Sequence, residues 1–64
     1  MKHTHVVRVH SLENGEPNFS NVIRDFRYDT MESAYNLIRY WNHSAVFTIA
    51  VYVGCFDDET GEMI

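Results

Sequence analysis

Cysteine, proline and long apolar runs are scarce in this 64-residue chain. The single cysteine, Cys55, excludes a disulfide within the chain, and no CxxC pair is present to bind zinc. The longest uncharged apolar stretch, AVFTIAVYVGCF at residues 45–56, is too short to cross a bilayer as a helix. The opening residues MKHTHVVRVH lack the continuous apolar segment of a signal peptide. We therefore expect a cytoplasmic protein without membrane contact.

Basic residues are also few, with five Lys and Arg against nine Asp and Glu, giving a net charge of −4. The two signs balance within residues 1–43, so the negative excess falls entirely in residues 57–62. Nucleic-acid binding normally requires a basic stripe that displaces counterions. We therefore expect no direct binding to nucleic acid.

Motifs of catalysis are absent as well. No GxSxG, P-loop, GxGxxG or HExxH pattern occurs, and a domain this small rarely encloses a substrate pocket. Cys55 is flanked by Gly54, Phe56 and Asp57, with no base beside it in the sequence, which favours a buried structural thiol over a nucleophile. The sequence predicts a protein that is not an enzyme and uses no cofactor.

His3 and His5 are the only residues with metal-like spacing. Two residues apart on a strand, they would face the same way and could chelate a divalent ion. His10 has the opposite parity and does not complete the set. We expect solvated histidines and no metal, with ion binding by His3 and His5 as the alternative.

The chain does contain enough apolar side chains for a small globular domain, with 45% hydrophobic and 14% aromatic residues. Residues 4–12 and 19–28 have the alternating, β-branched pattern of strands, and ENGEP at 13–17 is a turn signal between them. A helix is predicted over residues 29–44, with Asp29 and Glu32 as its capping pair. Its apolar stripe consists of Met31, Ala34, Leu37, Ile38 and Trp41.

Residues 45–56 are predicted to form a third strand, followed by a turn and a short terminal arm. The predicted fold is one α+β domain over residues 1–64 in the order β-β-α-β. Its sheet has three strands, with a short fourth strand as an option, and the helix packs on one face.

The third strand is apolar on both faces, which one helix cannot cover. Predicted to face the helix are Phe47, Ile49, Val51, Val53 and Cys55. Predicted to lie on the second face are Val46, Thr48, Ala50, Tyr52 and Phe56. Because a domain of this size buries only about 60% of its chain surface, we expect a second chain to cover that face. In the alternative, the covering residues are Val6, Phe19, Met63 and Ile64.

Two surfaces are predicted to contact a partner. An acidic edge can offer carboxylates to a basic protein surface, and it consists of Asp57, Asp58, Glu59 and Glu62. The second is the aromatic sheet face, whose contact or dimer residues are Val46, Thr48, Tyr52 and Phe56, with Tyr40 as an anchor on the helix flank.

The segment FRYDTMESAYNLIRYWNHSAVFTIAVYVG, residues 26–54, resembles small bacteriophage proteins that bind and block host machinery, such as the RNA polymerase inhibitors of T7-like phages. The likeness lies in size and element order, and no functional residue matches one to one. It implies an inhibitor or adaptor acting on a bacterial protein in the host cytoplasm, and a basic, nucleic-acid-binding site is the kind of target expected. The alternative is a structural homodimer or complex subunit with no inhibitory role.

Overall fold

Three strands and one helix make up the computed structural model, which describes residues 2–64. The elements are β1 His3–Glu13, β2 Glu16–Tyr28, α1 Met31–Ser44 and β3 Thr48–Asp57. β1 lies at the centre of an antiparallel sheet, with β2 on one side and β3 on the other. The predicted α+β fold, with its β-β-α-β order, is confirmed.

β1 and β2 form a hairpin around Asn14-Gly15. Both residues have positive φ, 56° and 79°, as a type I′ turn requires. Pro17 pairs with Leu12 in the second pair from the turn, where backbone groups point away from the neighbouring strand. The missing N–H of Pro17 therefore costs no hydrogen bond to β1 and removes a donor from the outer edge of β2.

α1 begins at Met31, two residues after the start of the predicted range, and its N-cap is one residue after the predicted Asp29. Thr30, which is still extended at φ −125° and ψ 148°, is the N-cap, and its Oγ1 accepts a 3.2 Å hydrogen bond from the Ser33 N–H. The predicted Asp29–Glu32 capping pair is therefore wrong. No helix within residues 2–64 has both the length and the apolar character needed to cross a membrane.

The core lies between α1 and one face of the sheet. Val7 and Val9 of β1 are fully buried, and Ala34 of α1 meets Ala50 of β3 beside them. Burying a side chain of this size contributes roughly 1.5–3 kcal/mol. The larger residues packed around this cluster are Phe26, Tyr28, Leu37, Ile38, Trp41 and Tyr52.

β3 presents to the helix the face that was predicted to be uncovered. Trp41 Nε1 donates to Thr48 Oγ1 at 2.9 Å, and the Tyr35 and Tyr52 rings stack at 5.8 Å. Small side chains at Ala34 and Ala50 let the helix approach this face closely, which explains the reversal. The residues wrongly predicted to face the helix are Phe47, Ile49, Val51 and Val53. Phe47 precedes the strand and is 79% exposed.

A β-bulge at Val53 changes the alternation along β3. Val6 pairs with Gly54 and Val7 with Tyr52, so Val53 is an extra residue opposite β1. The sheet face away from α1 is called the open face below. Because of the bulge, Phe56 lies on the open face whereas Tyr52 lies under the helix.

The last residues fold back along β3. Met63 forms a single bridge with Phe56, and the Ile64 N–H donates to the Cys55 carbonyl at 2.8 Å. A Cβ on Gly54 would come within 3.0 Å of Met63 Cε, so Met63 lies across the strand at this glycine. The optional fourth strand is present only as this bridge.

Candidate protein-binding surface

The acidic edge is a turn held in a defined shape by its own hydrogen bonds. Asp57 Oδ1 accepts the backbone N–H of Glu59 at 2.8 Å and that of Thr60 at 3.4 Å. The Asp57 N–H donates to the Glu62 carbonyl at 2.9 Å, and the Gly61 N–H donates to the Asp57 carbonyl at 2.7 Å. Gly61 has φ 75°, which suits glycine. Asp57 therefore organises the turn rather than offering a free carboxylate.

Asp58 fastens the same turn to the start of β1. Its carboxylate accepts a hydrogen bond from the Thr4 hydroxyl, and its N–H donates to the Lys2 carbonyl at 3.2 Å. These contacts join positions more than fifty residues apart in the sequence. The turn is thus part of the folded domain, not a loose tail.

Glu59 and Glu62 differ from the two aspartates. Both are exposed, and neither carboxylate has a hydrogen-bond or ion-pair partner among residues 2–64. All four predicted acidic residues are therefore brought together in one turn, but only these two present carboxylates free for a partner. The sequence did not distinguish the two roles.

A groove of about 310 Å³ on the open face adjoins this turn. Its apolar lining comes from Val6, Val53 and Phe56, with Asp57, Asp58 and Gly61 at the end nearest the turn. The remaining lining residues are Thr4, Arg8, Asp25 and Arg27. The acidic turn and the apolar Phe56 side chain thus border one concave surface.

An ion pair lies in the same groove. Arg8 Nε donates to Asp25 Oδ1 at 2.8 Å and Arg8 Nη2 to Asp25 Oδ2 at 3.1 Å, a bidentate arrangement between β1 and β2. The hydrogen bond from Arg8 lowers the pKa of the Asp25 carboxyl, and the same contact raises the pKa of Arg8. Both side chains are about one-third exposed, so the pair contributes only modestly to stability.

The predicted aromatic face does not exist as one surface. Thr48 and Tyr52 lie on the helix side, and of the predicted set only Phe56 lines the groove. Val46 and Tyr40 are each 73% exposed, in the α1–β3 connection and on the helix. The even-numbered positions were predicted to share one strand face. They do not, because β3 begins later than predicted and contains a bulge.

The open face is partly covered by the chain itself. The Phe19 ring meets the buried His10 edge-on at 5.1 Å, and Met63 lies against Gly54. Ile64 remains largely exposed. Phe19 and Met63 thus lie on the open face, and Val6 is itself buried in it. The self-covering set was predicted for the face of Thr48 and Tyr52, which is covered by α1 instead.

Sequence reasoning missed a polar cluster under the helix. His5 Nδ1 lies 3.0 Å from the Tyr52 hydroxyl oxygen, and His5 Nε2 lies 3.9 Å from Cys55 Sγ. Burial raises the pKa of Tyr52, with smaller contributions from Cys55 and Tyr35. Pairing of β1 with β3 thus brings a base to Cys55 that its sequence neighbours lack. The sequence did contain a signal for this cluster. Alternate residues of a strand lie on one face, so His5 was expected on the same face as Val7 and Val9.

Metal binding was the alternative for His3 and His5. Both belong to β1 and, being two residues apart, lie on the same face of the strand. His3 Nε2 is buried without a hydrogen-bond partner in the described structure. Among residues 2–64, no three His, Cys, Asp or Glu side chains are grouped so that they could hold a metal ion.

Comparisons with protein-family models, with curated proteins and with solved structures found no match to this chain. The candidate function therefore depends on the chain's own geometry.

Proposed function

We propose that the protein is a non-enzymatic inhibitor or adaptor that docks on a basic surface of another protein. The observation that carries this proposal is the pre-formed acidic turn beside the groove. Glu59 and Glu62 have free carboxylates there, and Phe56 supplies an apolar contact in the adjoining groove.

The order of the turn favours binding for two reasons. A loop that is already held by hydrogen bonds loses little conformational entropy when a partner binds. A cluster of negative charge also steers a basic partner and fixes its orientation. Docking of this kind would block a basic surface that otherwise binds nucleic acid, and a bacterial host protein is the expected target.

The structure determines which acidic residues a test should change. Asp57 and Asp58 accept hydrogen bonds within the domain, so reversing their charges would disturb the turn itself. The test variant is therefore Glu59→Lys with Glu62→Lys. A matched control is Glu16→Lys with Glu32→Lys, which changes the net charge equally. Glu16 is exposed beside the β1–β2 turn, and Glu32 is exposed on α1, which packs on the sheet face away from the groove.

The experiment is affinity capture from a lysate of the source or its host, followed by titration with the purified partner. We expect one stoichiometric partner, bound at least about tenfold more weakly by the test variant and in high salt, but about equally by the control. Equal weakening by both variants, or binding insensitive to salt, would remove the acidic turn from the interface.

The alternative of a structural homodimer was predicted on the face carrying Thr48, Tyr52 and Phe56. Since these residues do not share a face, a homodimer requires another surface.

A further inference from the structure

The outer edge of β3 is closed by the protein itself. Asn42 of α1 donates from Nδ2 to the Ala50 carbonyl at 3.0 Å and accepts the Ala50 N–H at 2.8 Å. This side-chain amide satisfies the same two groups that a neighbouring strand would. At the other end of β3, the terminal arm bonds to Cys55 and Asp57. An additional strand would therefore have to displace both the Asn42 side chain and the terminal arm.

Within residues 2–64, the outer edge of β2 has no such cover. β2 is the last strand on its side of the sheet, and most of its residues are exposed. Exposed edge strands are templates for pairing with another strand.

Only part of β2 is regular enough to pair in this way. Residues 24–28 pair without interruption with residues 5–9 of β1. Beyond that segment, His10 pairs with Val22 and Ser11 with Asn18, so Ile23 and residues 19–21 have no strand-pairing partner on β1. A bulge of this size bends a strand and ends its pairing. Any added strand therefore has a short, defined docking segment, residues 24–28.

We propose that the occupant of this edge is a second copy of the chain, paired antiparallel through residues 24–28 around a two-fold axis at Phe26. In this arrangement Phe26 lies opposite its own copy, Asp25 opposite Arg27 of the second copy, and Arg24 opposite Tyr28. The two sheets join into one of six strands, with both helices on the same face.

Charge complementarity selects this register. Directly opposite residues of an antiparallel pair share a face, so a two-fold pairing must centre on a residue. Centring on Asp25 or on Arg27 would place like charges opposite each other. Centring on Phe26 gives two Asp25–Arg27 pairs on the open face and keeps all five regular residues paired.

The existing contacts are compatible with this pairing. Arg8 uses one hydrogen-bonding site on each oxygen of Asp25, and a carboxylate has further lone pairs for a second arginine. On the helix side, the Arg24 guanidinium already lies 4.9 Å from the centre of the Phe26 ring. Two such rings would meet at the axis, which buries the part of the Phe26 surface that is still exposed in the single chain.

The proposed dimer leaves both acidic turns free, because they belong to the β3 side of each subunit. It does not depend on the proposed function, since it is tested on the purified protein alone.

Sedimentation velocity from about 10 µM to about 1 mM tests the dimer, a range suited to a small edge contact. The 7.5 kDa chain should shift toward twice that mass as concentration rises. Arg27→Asp and Asp25→Arg should each raise the dissociation constant at least about tenfold, since each places like charges opposite one another. An equimolar mixture of the two variants should associate again, because the heterodimer restores two opposite-charge pairs.

The matched control is Arg39→Asp, the same charge change at an exposed helix position, which should leave dimerisation unchanged. Restored association also requires both variants to be folded, which separates a lost interface from a lost fold. A wild-type protein that stays at 7.5 kDa throughout would overturn the proposal. So would a dimer that ignores Arg27→Asp, or a mixture that fails to associate.

Discussion

The two edges of the sheet satisfy their backbone groups in different ways. Beside β3, Asn42 and the terminal arm occupy hydrogen-bonding positions that a further strand would use. Beside β2, the backbone is left open along residues 24–28, where the pairing with β1 is regular. The irregular part of β2 comprises residues 19–21 and Ile23. A small domain can thus protect one edge with its own side chains and leave the other to direct association.

The largest effect is expected from removing the Asn42 side chain. Asn42→Ala leaves the N–H and carbonyl of the buried Ala50 without their partners, which should lower the free energy of unfolding by about 1–3 kcal/mol. Urea denaturation of dilute protein measures this change in the free energy of unfolding. Asn36→Ala, at an exposed position of the same helix, should change stability by less than about 0.5 kcal/mol. Similar values for the two variants would mean that Asn42 does not close the β3 edge.

A smaller loss is expected at the other end of that edge. Asp57→Ala removes the acceptor for the Glu59 and Thr60 amides and should cost about 1 kcal/mol. Amide exchange at Ile64 should also accelerate, because the arm is positioned by the turn. Glu59→Ala, which removes a free carboxylate, is the control and should affect neither quantity. An Ile64 amide that exchanges at the wild-type rate in Asp57→Ala would contradict this account of the turn.

The sequence predicted the element order, the Asn14-Gly15 turn and the apolar side of α1, apart from the exposed Met31, because each depends on local patterns. It did not predict the faces of β3, because both are apolar and a single bulge at Val53 shifts the alternation by one residue. Tyr52→Glu illustrates the consequence. On the uncovered face it would have yielded a folded monomer, but under the helix we expect it to disrupt the core.

The candidate site was predictable in composition but not in geometry. The cluster of Asp57, Asp58, Glu59 and Glu62 is visible in the sequence. Their division into turn-forming and free carboxylates depends on hydrogen bonds to backbone groups and to Thr4. The roles of Asn42 and of His5 beside Cys55 likewise require the strand register.

The smallest effect concerns the ion pair that joins β2 to β1. Since Arg8 lowers the pKa of Asp25, the pair stabilises the fold above the ordinary carboxyl pKa of about 3.9, and this contribution is lost as pH falls through the lower folded value. Wild type should therefore be slightly more stable than Asp25→Asn at pH 5–7, and the difference should shrink as the pH falls below the ordinary carboxyl pKa. A difference that grows on acidification would contradict the sign of this linkage. Dilute protein keeps dimerisation out of the measurement.

Hydrogen exchange resolved at single amides, at about 10 µM and about 1 mM, tests the difference between the two edges most directly. The Ala50 amide should be protected equally at both concentrations, because Asn42 covers it within one chain. Those amides of residues 24–28 that point away from β1 should exchange quickly in dilute protein and become protected at high concentration. If they are equally unprotected at both concentrations, or if the Ala50 amide exchanges as fast as they do, the proposed contrast between a closed and an associating edge is wrong.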